Sequence, residues 1–377
     1  MKGQKYHLIH PTSDGKRKGN MFFYMPTKVY SETDCVKNHG KELCSLGTKA
    51  LIVTGRHSSR QNGSLEDVQE ALEDYGIPYD VFDRIVENPS VELVMEAREF
   101  GLETGADFVI GVGGGSSIDA AKAISLMMKH REEGASYLYG KELGDAYPIA
   151  AVPTTCGTGS EVTPYSILTV HEKHTKSGIT HRIFPVYALV DGKYLKTAPK
   201  SVLHATAVDA LGHFIESRVN TNATDYSIML CREGLRLWTR CKDVLKGEMQ
   251  ADEAVFADMM NASSIAGMAI SHTGTSLPHG LSYYLTYECG VAHGRAVGIF
   301  LPGYLEAADE DVRKEILEIL GMNSIEEFRD FGFTVLELPE IPGDLKERAV
   351  KGMLSNQRKL ANCPFEVNRQ VLEHIIP

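Results

Sequence analysis

Residues 108–122 read FVIGVGGGSSIDAAK, and the order of residue types in this stretch decides the fold. Phe108 to Val112 is an apolar run with β-branched side chains, which suits a strand buried on both faces. Gly113, Gly114 and Gly115 end the run, and a helical pattern begins at Ser116. Glycines at such a turn let backbone N–H groups approach a ligand without interference from Cβ, and the helix aims its positive end at the same spot. A pyrophosphate is the natural occupant. The same glycines would also serve a tight strand-to-helix turn that binds nothing. The spacing is not the dinucleotide consensus G-x-G-x-x-G, because Ser116 stands at the third glycine position after Gly111 and Gly113, and no Lys-Ser or Lys-Thr pair marks a P-loop.

Outward from this turn the first half alternates. ALIVT at 50–54 reads as a strand closed by Gly55, SLEDVQEALEDYG from Ser64 as an amphipathic helix, 79–82 as a strand, 91–102 as a helix and 116–128 as the helix after the glycine turn. The βαβαβα order predicts a parallel sheet with helices on both faces. Further strands are expected at 149–152, 167–170 and 187–190. After Asp191 the texture changes to helical periodicity, over 204–219, 226–246, 251–270, 311–320, 325–331 and 343–356. The expected architecture is therefore α/β: an N-terminal dinucleotide-binding domain with a parallel sheet over 1–191, then an all-helical domain over 192–377. The acidic stretch 306–311 reads as a solvated helix end.

The chain has 377 residues, long enough for two such domains, with 39 Lys and Arg against 50 Asp and Glu and a net charge of −11. That balance argues against nucleic acid as a partner, since phosphate contacts need a basic surface. No apolar stretch approaches the ~18 to 20 residues that span a bilayer, and the basic start has no apolar core behind it, so no membrane partner is expected. The seven cysteines are odd in number, scattered and without a CxxC pair, as reduced thiols in a cytoplasm would be.

Two further groups of residues carry chemistry. PTTCGTGSEVTP, 153–164, follows an apolar strand with Thr154, Thr155, Thr158, Ser160 and Thr163, offering hydroxyls and amides where open α/β sheets bind ligands. Hydroxyls that only cap a helix are the plainer alternative. In AVDALGHFIES, Asp209 and His213 are four residues apart and share a helix face. His279 in LPHGLSYYL and His293 in GVAHGRAVG lie 14 residues apart, each followed by glycine. One Asp with three His makes a divalent-metal set suited to iron(II) or zinc, although an Asp-His pair at this spacing is also common on helix surfaces.

Taken together, GGGSSIDAAK, PTTCGTGSEVTP, VDALGHFIES and the PHG and AHG pair resemble the iron-containing (group III) alcohol dehydrogenase family. The order and spacing run through residues 50–302. The resemblance implies an α/β dinucleotide-binding domain followed by a helical metal-binding domain, with the active site between them, in a homodimer. It places the metal on Asp209, His213, His279 and His293, with iron(II) favoured and zinc, nickel or manganese compatible. It places the pyrophosphate on Gly113, Gly114, Gly115 and Ser116, lines the cofactor with Asp119, Thr154, Thr155 and Thr158, and brings Lys176 to the ribose side of the nicotinamide. The implied reaction is hydride transfer between a nicotinamide cofactor and a small primary alcohol or aldehyde.

Two positions depart from the family pattern. Where many NAD-using members carry an Asp after the first long strand, this chain has Gly55, followed by Arg56, His57, Ser58, Ser59 and Arg60. A glycine makes room for a 2′-phosphate, and arginines with hydroxyls can bind one. The stretch VTGRHSSRQNGSLEDV resembles the 1,3-propanediol-dehydrogenase-like branch, so NADP(H) is expected. An exposed basic loop without a ligand is the alternative. Four residues after His279, where numerous members have a proton-relaying histidine, stands Tyr283, leaving Tyr283 and His272 as relay residues or as plain pocket wall. Competing readings are a fold-mate of the glycerol dehydrogenase or dehydroquinate synthase kind and a non-catalytic nucleotide- or metal-binding protein.

Overall fold

The computed structural model describes residues 22–141, 143–336 and 340–377. Eight strands form in chain order: β1 (Lys28–Ser31), β2 (Ala50–Thr54), β3 (Tyr79–Phe82), β4 (Phe108–Gly113), β5 (Ile149–Pro153), β6 (Ile167–Val170), β7 (Thr175–Gly178) and β8 (Tyr187–Val190). Six of them make a sheet in the order β1-β8-β5-β4-β2-β3, with every neighbouring pair parallel.

The period of two along each strand divides the apolar residues between two cores. Leu51 and Val53 of β2, with Val109 of β4, pack on one face against helices α2 (Val91–Thr104) and α3 (Gly115–Lys129). Ala50 and Ile52, with Phe108, Ile110 and Val112, pack on the other face against Leu65, Val68 and Leu72 of helix α1 (Ser64–Asp74). The chain winds from β2 to β3 on one side and then crosses to β4 and onward on the other. The switch point thus falls between β2 and β4, which places Gly55 and the glycine turn on either side of the crevice where open sheets receive ligands.

The strand at 167–170 forms but does not join this sheet. It pairs antiparallel with β7, matching Thr169 with Lys176. An apolar run predicts a strand without naming its partner, and TKSG is too polar to read as one. Strand β1 went unrecognised in the sequence for a similar reason: KVYS is only four residues long and sits at the sheet edge.

After β8 all elements are helices or helical turns among the described residues. Helix α4 (Lys200–Arg218) is buried without a break from Ala207 to Ser217, so it runs through the centre of the helical half and carries polar residues inward. Around it stand α5 (Glu253–Thr273), α6 (Leu277–Cys289) and α7 (His293–Gly298). The expected helix over 226–246 is two, Asp225–Arg240 and Lys242–Lys246. The largest apolar cluster joins the halves, because Cys156, Val162, Ala188 and Val190 pack in one core with Val208, Leu211 and Phe214. No helix among the described residues is long and apolar enough to cross a membrane.

Candidate metal and cofactor cleft

A cleft of about 1000 Å³ lies between the carboxyl ends of the strands and the helical half. Its sheet wall consists of the two polar turns. Gly114, Gly115 and Ser116 face Thr155 and Thr158 across it. The turns touch so closely that a Cβ on Gly115 would come within 2.6 Å of the Thr158 side chain, and one on Gly114 within 3.1 Å of Thr155. Gly113 has φ 142°, a conformation that favours glycine, and its carbonyl accepts a hydrogen bond from the Thr154 N–H at 3.0 Å. Gly113 and Thr154 therefore set the turn from behind, outside the cleft lining.

Asp119 faces the cleft but is committed to the fold. Its carboxylate accepts hydrogen bonds from the Ser160 hydroxyl and, at 2.8 Å, from the Ile167 N–H. Lys122, one turn further along α3 and fully buried, donates to Ser160 Oγ and to the Tyr165 carbonyl, each at 2.7 Å. These bonds clamp the threonine turn onto the helix that follows the glycine turn. Lys176 lines the cleft and donates to Asn88 Oδ1 at 2.7 Å; burial pushes its pKa down to about 8. Asn88, with φ 56°, also donates its N–H to Ser116 Oγ at 3.2 Å. Gly55 and Ser58 line the cleft at the end of β2, whereas Arg56 stands exposed beside it and Arg60 is paired with Asp83 at 3.0 Å.

On the helical wall, Asp209, His213 and His279 each place a ligand atom within 4.8 Å of the others, and all three are buried. His279 Nε2 stands 3.4 Å from Asp209 Oδ1. Neither atom has a hydrogen-bond partner. His213 Nδ1 is anchored by the Gly157 carbonyl at 3.2 Å, which leaves Nε2 as the other ring nitrogen. His293 Nε2 lies 3.7 Å from the same Asp209 oxygen, adjacent to the trio but outside its circle. The glycine after His293 has a steric role, since a Cβ on Gly294 would collide with the Ala205 carbonyl where α7 crosses α4.

Residues 26–192 match the family described as iron-containing alcohol dehydrogenase, and residues 203–330 match the C-terminal part of the Fe-containing alcohol dehydrogenase family. The long-chain primary alcohol dehydrogenase AdhA of Thermoanaerobacter ethanolicus is 30% identical over 380 residues, covering 92% of each chain. The chain belongs to the iron-containing alcohol dehydrogenase family. A crystal structure of such an enzyme from Thermotoga maritima is 36% identical and superposes with a TM-score of 0.87, covering 94% of this chain and 98% of that one. The NADPH-dependent butanol dehydrogenase of Clostridium saccharobutylicum is 29% identical over 288 residues, 75% of this chain and 72% of that protein.

Membership in the iron-containing family implies a divalent metal and an alcohol or aldehyde substrate. The Asp209 cluster fits such a metal. Two buried polar atoms face each other unpaired, an arrangement that costs free energy unless a cation completes it. Charge agrees with geometry at Asp209, His213 and His293, whereas His279 would have to release a proton before binding a cation through Nε2. Burial works against ionising Asp209, yet the surrounding imidazoles hold it well below the usual carboxylate range. Burial pushes His213 down to about 4 and holds His293 well below its ordinary value, so both are neutral donors at neutral pH. Burial would also lower His279, but Glu216 and Asp209 on either side push it up to about 9.

Glu216 is the residue that motif spacing alone passes over. It is fully buried, its carboxylate accepts from His279 Nδ1, and its other oxygen accepts the Ser276 N–H at 2.7 Å. It sits seven residues after Asp209 and three after His213, so helical period puts all three on one face of α4. That period was the available signal.

The two relay residues separate. Tyr283 lines the cleft, stacks on His293 with ring centroids 6.0 Å apart, and is pushed by burial up to about 12, so it stays protonated at neutral pH. His272 does not line the cleft. Its Nδ1 bonds the Met268 carbonyl at 2.7 Å, its Nε2 accepts the Tyr24 N–H at 3.0 Å, and its ring stacks on Phe23. Both nitrogens are engaged, which removes His272 from any proton relay in the cleft.

Proposed function

We propose that the chain transfers a hydride between NADP(H) and a small primary alcohol or aldehyde, using a divalent metal, iron(II) first, held by Asp209, His213 and His279 with His293 as fourth ligand. The observation that carries this reading is the unpaired, buried Asp209 Oδ1 and His279 Nε2 in one cleft with the glycine and threonine turns. In the reductive direction a hydride adds to the carbonyl carbon and a proton to its oxygen, converting aldehyde to alcohol and NADPH to NADP⁺. When bound, such a metal supplies polarisation of the substrate oxygen, and the nicotinamide supplies or takes up the hydride.

The chain's own residues do the rest. Gly114, Gly115, Ser116, Thr155 and Thr158 offer amides and hydroxyls to a pyrophosphate, with Gly113, Thr154 and Asp119 fixing their shape. Lys176, held by Asn88, presents a cation toward the ribose side. Tyr283 walls the substrate pocket with its proton in place. The two halves, 1–191 and 192–377, bring cofactor and metal to opposite sides of one space. Cytoplasmic location and a homodimer belong to this reading as well.

Support for NADP(H) comes from Gly55 and Ser58 at the cleft edge with Arg56 beside them, since position 55 itself carries no carboxylate to repel a 2′-phosphate. The NADPH-dependent butanol dehydrogenase relative points the same way. The test is an anaerobic assay of metal-analysed protein with short aldehydes, acetaldehyde to hexanal, and diols, each with NADPH and with NADH. Faster turnover with NADPH is expected, and Arg56→Ala should narrow the gap. A preference for NADH overturns the cofactor assignment.

A further inference from the structure

The helical wall of the cleft carries more positive charge than its reading as a metal pocket needs. Its basic side chains are Arg295, Arg358 and Lys359, and its carboxylates are Asp209 and Glu288. Glu288 is held by Arg348 through two contacts of 2.6 Å, and Asp209 belongs to the metal cluster. In a chain of net charge −11 this local excess stands out.

Lys359 is its centre. It lies on the short helix α8 (Gln357–Ala361), whose start is capped by Asn356 accepting the Lys359 N–H at 3.2 Å. Asn362, just past that helix, donates to the Thr275 carbonyl at 2.9 Å and so ties it to the turn before α6. The Lys359 stem passes over Gly280, the residue after His279, where a Cβ would stand 3.3 Å from its Cγ. Its Nζ donates to Thr275 Oγ1 at 2.6 Å and lies 6.0 Å from the Tyr283 ring. An ammonium has three donors, and a hydroxyl takes only one. No carboxylate forms an ion pair with Lys359 among the described residues; Glu216, which acts on it through space, has its oxygens occupied by Ser276 and His279.

A fixed, half-buried cation with free donors, one residue's packing from His279, favours an anion at the far end of whatever reacts at the metal cluster. We propose that Lys359, with Arg358 beside it, receives a carboxylate on the substrate, so that the preferred substrate is a short aldehyde or alcohol with a carboxylate at its other end. This rests on the hydride-transfer reading above.

The test compares 4-oxobutanoate with butanal, which has the same carbon count and no charge, on metal-loaded enzyme with NADPH and with NADH. The expected kcat/KM ratio favours 4-oxobutanoate by about tenfold or more, the range of a charged hydrogen bond. Lys359→Met should collapse that ratio by about the same factor, and Lys359→Arg should largely restore it. Because the ratio is taken within one preparation, partial misfolding cancels. Should Lys359→Met fail to fold, the wild-type ratio still decides, since preference for butanal overturns the proposal. A ratio unmoved by Lys359→Met overturns it too. Reduction of neither aldehyde with either cofactor overturns the hydride-transfer reading itself, an outcome distinct from reduction of butanal alone.

Discussion

The two walls of the cleft are made from different parts of the chain. The sheet wall is backbone and short hydroxyls at the ends of β4 and β5, drawn from two continuous stretches, and its close fit comes from the absence of Cβ atoms. The helical wall is ionisable side chains on α4, α6 and α7, brought together from positions 209 to 293, with Asp209, His213 and His279 buried. One wall is defined by shape and the other by charge. Substitutions should therefore fail differently on the two sides: steric changes on the sheet wall should weaken cofactor affinity and leave metal in place, and charge changes on the helical wall should do the reverse.

The largest effect is expected at His213. Its ring is fixed by the Gly157 carbonyl and belongs to the buried trio, so His213→Ala should remove bound metal and reduce turnover to background together. Metal analysis beside the assay checks this, and an active, metal-free variant would break the assignment. Next comes Glu216→Gln. The carboxylate orients His279 through Nδ1, and loss of such a partner costs about 10- to 100-fold in metal affinity. Metal titration of the variant reads it directly, with unchanged affinity as the contrary outcome.

On the other wall, Gly115→Ala places a methyl 2.6 Å from the Thr158 side chain. The two turns must part, and a rise of about tenfold in the KM for NADPH, near 1.4 kcal/mol, is expected with metal content unchanged. Lost metal in Gly115→Ala would show that the walls are not independent.

The same contrast explains what could be read from the chain. The sheet wall was legible because its function lies in contiguous residues: GVGGGSSIDAAK and PTTCGTGSEVTP are each a strand end followed by a turn, and the sheet fixes where strand ends go. On the helical wall, Asp209 and His213 share a helix face and could be paired by period alone. Placing His279 and His293 beside them needed family resemblance, because α6 and α7 meet α4 through contacts such as Gly294 on Ala205 that no local pattern encodes. His272 shows the cost of proximity in sequence. It lies seven residues before His279, yet it ends α5 facing Phe23 and Tyr24. Lys359 carried no signal at all, since a lysine in a C-terminal helix gives no hint of a neighbour eighty residues upstream.

Lys122 offers the finest test of the contrast, because it is a fully buried cation behind the wall defined by shape. Burial pushes its pKa down to about 8, although Asp119 and Glu161 oppose the shift. The unfolded value is about 10.4. Below about pH 8 both states hold the proton and the fold bears the full cost of the buried ammonium. Between about pH 8 and 10.4 the unfolded chain keeps a proton that the native state has released, so this group's contribution to stability rises with pH. Once neutral, the amine can still donate to Ser160 or to the Tyr165 carbonyl. Lys122→Met removes the titration. It also removes the cation from beside Asp119 and Glu161, whose pKa values burial already raises, and they would rise further, weakening the variant as pH increases. Both contributions have the same sign. Urea unfolding at about pH 7 and about pH 9 should therefore show the stability of wild type minus that of Lys122→Met rising by about 1 kcal/mol. A difference that does not rise would mean that Lys122 stays charged in the fold, and the sheet wall would then depend on charge as the helical wall does.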